Sequence, residues 1–268
     1  AVGFLAATTT VANFAGAILG ALLIDRVGIL GIIVIDFVSY SIALGCDLMI
    51  RFKKTPESSL EQMPAYRGAW AILDDCPLLK RILVTFGAVN FFATPVLVIM
   101  PLYTKLSLHG SASMRGALEA CVWLGILAGT AFGTRGPGKA QPLTTVGICL
   151  VLFGVFLGLP GLWVNANFYG TMLALGGAAL GFLNVRMITL FQTTIPEEIK
   201  GRFFALLGAT SGAAVPLGYF AFGALAGALA PHELSLIQGL GVVALAVLFF
   251  VFAKDQVSLM LQPTGETR

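Results

Sequence analysis

Long apolar runs dominate the chain, with short polar breaks between them. Eight runs are each about 20 residues or longer, roughly at 4–24, 28–50, 82–106, 114–134, 140–160, 166–190, 203–230 and 233–253. A helix rises 1.5 Å per residue, so about 20 residues cross the roughly 30 Å hydrocarbon core of a bilayer. In lipid, every backbone N–H and C=O must find its partner inside the protein, which leaves helices or closed barrels. A barrel needs segments of about 10 residues with alternating polarity, and these runs are longer and continuous. The predicted fold class is an all-α integral membrane protein with eight spanning helices.

The breaks carry the organisation. Most are short, but 51–81 is long, polar and interrupted by Pro56 and Pro64. It separates two spans from six and marks the boundary between two bundles. The predicted division is therefore 1–50, a pair of helices; 51–81, an inter-bundle loop; 82–253, a six-helix bundle; and 254–268, a tail. Within the loop, Gly68 to Leu79 has the composition of a short amphipathic helix on the membrane surface.

Composition and charge refine this picture. Hydrophobic residues make up 57% and charged residues only 11% of the chain. Soluble domains carry about 25% charged residues, so this surface is built for lipid. The 32 glycines suit close helix packing there. The net charge of +3 does not indicate nucleic-acid binding, because the basic residues follow the loops. Arg51, Lys53, Lys54, Arg67, Lys80 and Arg81 lie in the long loop, and Arg135, Lys139, Lys200, Arg202, Lys254 and Arg268 lie on the same side. Arg26, Lys105 and Arg115 fall on the other, and Arg186 sits inside a span. This bias places the long loop and the C-terminus in the cytoplasm of a multi-pass plasma membrane protein. The chain opens on Ala1 and enters an apolar run at once, with no basic leader. The expectation is a chain whose N-terminal portion precedes this sequence, not one that starts with a signal peptide.

Charged residues inside spans cost about 2.5–3.5 kcal/mol each on insertion scales, so each asks for a reason. Asp36 lies in the second span, where it serves a cavity or proton coupling, or bonds Tyr40 one turn on. Asp47 and Arg51 are spaced for an i,i+4 pair, as are Arg115 and Glu119. Glu119 lies deeper and is a substrate or coupling candidate. Arg186 joins it, together with Asn184 and Gln192 on the same span. Asn90 precedes Phe91 and Phe92, which suits an amphipathic ligand or plain packing. Pro95 and Pro101 remove backbone donors and should kink the third span. Gly16/Gly20, Gly154/Gly158, Gly177/Gly181, Gly208/Gly212 and Gly223/Gly227 are small-xxx-small pairs that let helix backbones approach. Cys46, Cys76, Cys121 and Cys149 have no metal-ligand spacing and read as small apolar packing residues. His109 and His232 stand alone in loops. No metal site, phosphate loop or nucleophile motif is present, so neither an enzyme nor a cofactor is expected.

Three stretches carry a family resemblance. Ile35-Asp36-Phe37-Val38-Ser39-Tyr40 is similar to a stretch in the sixth helix of one branch of the major facilitator superfamily. Gln192 through Pro196 to Lys200-Gly201-Arg202 resembles that branch's Q-x-x-x-P-x-x-x-[KR]-G-R loop before the eleventh helix, and Pro216-Leu217-Gly218 falls where it has P-L-G. The branch is the efflux group that includes enterobactin exporters and macrolide efflux proteins. Gly16 to Ala21 departs from the G-P-x-x-G-G of the superfamily's antiporters, lacking the proline and the last glycine.

The resemblance implies eight of twelve transmembrane helices, the first four being absent from this sequence. It implies a secondary transporter that exports a small amphipathic molecule by alternating access, with protons as a coupling partner and the bilayer as solvent. It also assigns conformational roles to Gly201, Arg202, Pro216 and Gly218. In Pro196–Arg202, Gly201 is expected to turn the chain into the next span. The alternatives are an uptake permease of the same fold and a non-transporting scaffold or inactive fragment.

Overall fold

The computed structural model describes residues 2–49, 77–134, 142–195 and 197–260. Its elements among these residues are helical: α1 Val2–Met49, α2 Pro77–Ala93, α3 Val96–Leu102, α4 Ala112–Thr134, α5 Pro142–Gly158, α6 Ala166–Thr194, α7 Glu197–Leu225 and α8 Pro231–Met260. A π turn, Tyr103–Ser107, continues α3, and a 3-10 turn, Leu159–Gly161, ends α5. Seven helical stretches among the described residues are long and apolar enough to cross a membrane, from Arg26–Cys46 to Pro231–Val251.

Helix α1 contains two of the predicted spans. As one rod its 48 residues would reach about 72 Å, more than twice the hydrocarbon thickness. Gly28 interrupts it with φ 66° and ψ 178°, a backbone region essentially reserved for glycine. The break falls beside the predicted connection between 4–24 and 28–50. Most side chains of the first half, and that of Asp47, lie outside the described residues. The second half is exposed along its length, with Leu30, Phe37 and Tyr40 all more than 70% accessible.

Most of the predicted loop 51–81 also lies outside the described residues. Its last five residues are helical, because α2 starts at Pro77. Proline suits a first helical turn, where its missing N–H has no intrahelical role. The third predicted span, 82–106, is broken at Pro95. After Ala93 the chain turns at Thr94 and Pro95, then resumes as α3. Pro101 lies inside α3, just before the π turn.

Two apolar clusters hold α2–α8 together, a bundle of six spans in which α2 and α3 share one. One gathers Ile82 and Val89 with Val146, Leu150, Phe153, Leu183, Met187, Phe203 and Phe249. The other gathers Ile99, Met100 and Tyr103 with Leu118, Tyr169, Leu173, Phe222 and Leu234. The start of α2 is therefore level with the end of α6, and the end of α3 with its start. Tyr103 and Tyr169 mark the second level, stacked with centroids 4.2 Å apart. Tyr103 Oη donates to the Pro160 carbonyl at 2.7 Å, tying the π turn to the 3-10 turn.

Glycines set the closest helix contacts. Gly125 and Gly129 of α4 face the Ala174 and Ala178 backbone of α6, while Gly177 and Gly181 face the Val122 and Ile126 carbonyls of α4. Two small-xxx-small pairs thus interlock, and a Cβ at any of the four would collide with backbone. Gly154 and Gly158 of α5 make the same kind of seam with Gly239 of α8. By contrast, a Cβ at Gly16, Gly20, Gly208, Gly212 or Gly223 would meet nothing within 4 Å. Gly201 lies within α7 and does not form a turn, since the helix already begins at Glu197. The preceding Ile195 is extended, as a residue before proline tends to be.

Candidate substrate cavity

An elongated cavity of about 250 Å³ lies inside the six-helix bundle. Each wall is one stripe of a helix. Ile82, Phe86, Val89 and Ala93 come from α2, and Val146, Leu150, Phe153 and Leu157 from α5. Leu173, Gly177, Leu180, Asn184 and Met187 come from α6, spaced three or four apart as one face of a helix requires. Val96 and Leu97 of α3, Val122, Trp123 and Ile126 of α4 and Phe249 of α8 add to it. Among the described residues that line it, none is charged and none belongs to α1 or α7.

Four polar side chains interrupt the apolar lining: Thr85, Asn90, Thr94 and Asn184. Asn90 Nδ2 donates to the Phe86 carbonyl one turn back at 2.9 Å, and its Oδ1 accepts no hydrogen bond among the described residues. Thr94 Oγ1 is spent on the Asn90 carbonyl at 2.6 Å. The Asn184 amide makes no hydrogen bond among the described residues. Such a surface favours an uncharged, mostly apolar molecule and supplies it with a few hydrogen-bonding groups.

Of the candidates read from the sequence, Asn90 and Asn184 are brought together here, on facing helices. Phe91 and Phe92 are not part of the wall. They pack edge to face with each other at 5.1 Å and with Phe222, and the Phe92 ring covers Gly241. Arg186 lies on another face of α6, its guanidinium 5.1 Å from the Phe182 ring centroid. Gln192 is exposed at the end of α6. Glu119 is half-buried on α4, and no ion pair joins it to Arg115 among the described residues. Asp36 is exposed on α1, where Ser39 Oγ donates to its backbone carbonyl at 2.8 Å. No bond joins Asp36 to Tyr40 among the described residues.

Sequence reasoning passed over Gln238. It is 1% exposed in α8, and its Nε2 donates to the Ala93 carbonyl at 2.9 Å. The signal was available, since a lone glutamine in an apolar span needs a partner. That partner is a carbonyl released by a helix break, which only the fold shows.

Known proteins are similar to this chain in sequence. The chain is 28% identical over 207 aligned positions to the enterobactin exporter EntS of Salmonella paratyphi A, covering 75% of this chain and 48% of that protein. It is 28% identical over 202 positions to EntS of Citrobacter koseri, 73% of this chain and 47% of the relative. It is 26% identical over 263 positions to the uncharacterized MFS-type transporter YkuC of Bacillus subtilis, 87% of this chain and 57% of the relative. This is kinship with efflux-type transporters of the major facilitator superfamily. Such transporters are not enzymes, and an all-α membrane bundle is the fold they lead one to expect. The chain spans about half the length of the relatives it matches. No family profile and no solved structure matches it.

Proposed function

We propose that this chain forms the larger part of a secondary transporter that exports a small amphipathic molecule of the drug, macrolide or siderophore class. The observation that carries the reading is kinship with two enterobactin exporters over about three quarters of the chain. In this reading the major-facilitator bundle α2–α8 is one rocking unit, and α1 belongs to the opposite one. Substrate passes between them by alternating access, with further helices supplying the rest of the second wall. The interlocked glycine seams support motion of α2–α8 as a rigid body, and the break at Pro95 offers a hinge next to the cavity. Asp36, an acid on a long apolar helix, is the proposed proton-coupling residue. The long loop and the C-terminus face the cytoplasm, in keeping with the distribution of basic residues.

The test uses everted membrane vesicles from cells producing this chain joined to the helices that complete the second wall, since the chain by itself should carry no flux. With an inward-acidic gradient, they should accumulate a labelled macrolide or catecholate siderophore, and a protonophore should abolish it. Asp36→Asn should lower the initial rate about tenfold or more, as removal of a coupling acid does. Accumulation in right-side-out vesicles instead would make the protein an uptake permease. No gradient-driven flux in either orientation would end the transporter reading.

A further inference from the structure

We infer that the cavity inside α2–α8 is itself a binding site for a slender, uncharged amphiphile, held with its polar head and its apolar tail in a fixed direction. The inference rests on the transporter reading only for the claim that such a molecule is cargo; the site stands on its own geometry.

The direction comes from the register of the helices. Tyr103 stacks on Tyr169, so α2–α3 and α6 run antiparallel with those residues level. Counting back at 1.5 Å per residue places Asn184 level with residue 88, between Thr85 and Asn90. The polar side chains with unused hydrogen-bonding capacity thus gather at one level of the cavity. The Asn184 amide is unengaged among the described residues, Asn90 keeps its Oδ1, and Thr85 Oγ1 is likewise uncommitted. The other end is walled by Val96, Leu157 and Leu173. From Val146 to Leu157 the wall extends about 16 Å along α5, which makes a 250 Å³ cavity long and narrow. Drug-sized ligands occupy about 300–1,000 Å³, so the occupant is smaller, or is one arm of a larger molecule. No charged side chain lines it among the described residues, so a carboxylate or ammonium would be desolvated without a counter-charge. An unbranched medium-chain alcohol has the matching length and chemistry, and the alkyl chain of a membrane lipid shares part of it.

Trp123 provides the readout, because by the same counting it lies toward the apolar end. The glycine seam sets α4 and α6 in register, with Gly125 against Ala174 and Ala178. In a variant with Trp70→Phe and Trp163→Phe, Trp123 is the remaining tryptophan. The full chain in nanodiscs is titrated with 10-bromo-1-decanol, whose bromine quenches an indole on contact. Saturable quenching is expected, above the linear background from lipid. The isomer 2-bromo-1-decanol should bind but quench less, because its bromine stays with the head. Decanoate should not displace the probe. Decane should displace it about fivefold less well than decanol, the weight of one net hydrogen bond. Asn184→Leu should remove that preference for the alcohol.

Equal quenching by 1-bromodecane, unchanged by Asn184→Leu, would make the cavity an acyl-chain pocket and overturn the inference. So would quenching that rises only linearly, a result that needs no variant in the cavity. Vesicle flux without saturable quenching would leave the transporter reading intact and remove only this site. Saturable quenching without flux would do the reverse.

Discussion

The Gln238 side chain of α8 donates to the Ala93 carbonyl of α2 at 2.9 Å. In an unbroken helix that carbonyl would accept from the Leu97 amide, four residues on. At the Pro95 break the Leu97 amide turns to the Thr94 carbonyl instead, at 3.1 Å. A glutamine from another helix therefore takes over a backbone bond. On the opposite side, Gly218 of α7 presses against the Phe91 carbonyl, the one that Pro95 has no N–H to satisfy. The break is thus held from two sides.

Gln238→Leu should destabilise the bundle by about 1 kcal/mol or somewhat more, because it leaves a buried carbonyl without a donor. Equilibrium unfolding in mixed micelles measures this. A variant as stable as the parent would show that the Ala93 carbonyl is satisfied in another way.

The two glycine environments should respond in opposite directions. At Gly181 a methyl group runs into the Ile126 carbonyl, so Gly181→Ala should cost about 1–3 kcal/mol. At Gly208 a methyl group meets open space within a helix, so Gly208→Ala should gain up to about 1 kcal/mol from helix propensity. Paired unfolding curves of the 268-residue chain decide it, and a loss at Gly208 would reveal a contact with another part of the molecule.

The stacked tyrosines offer a second asymmetric pair. Tyr103 Oη donates to the Pro160 carbonyl, so Tyr103→Phe should cost about 1 kcal/mol. Tyr169 is 2% exposed, and its Oη has no hydrogen-bond partner among the described residues. Tyr169→Phe keeps the stack and removes a buried unsatisfied hydroxyl. It should be neutral or stabilising by about 1 kcal/mol. A large loss at Tyr169 would mean that its hydroxyl has a partner after all.

Neighbouring residues on α2 should separate stability from binding. Phe92→Ala removes a ring packed on Gly241 and Phe222 and should cost about 3 kcal/mol of stability. Asn90→Ala faces the cavity and should change stability by well under half of that, while raising the KM for transport about fivefold. The opposite ranking would move the functional surface from Asn90 to the aromatic pair.

Much of this architecture is legible in the residues themselves. Apolar runs that match the bilayer thickness dictate a helical bundle, since lipid leaves backbone groups no other partners. Gly28 and Pro95 mark breaks because each has a property that no other residue shares, a tolerated positive φ in one and a missing N–H in the other. The site is less legible. Asn90 and Asn184 each stand out as amides in apolar spans, but so do Gln192 and Gln238, and sequence alone does not sort a cavity wall from a packing bond. The fold sorts them by rotation and level. Asn184 turns inward while Arg186, two residues on, points about 200° around the same helix.

What the sequence determined by itself is the medium, the helices and their breaks, because these follow from local chemistry and from the solvent each segment meets. What only the tertiary structure decided is which faces meet. Interlocking of Gly125 and Gly129 with Gly177 and Gly181, capture of the Ala93 carbonyl by Gln238, and the placing of Asn90 and Asn184 in one cavity lining all join residues more than 45 positions apart. Their approach is set by how whole helices pack, and no local pattern records the angle or the register at which they do so.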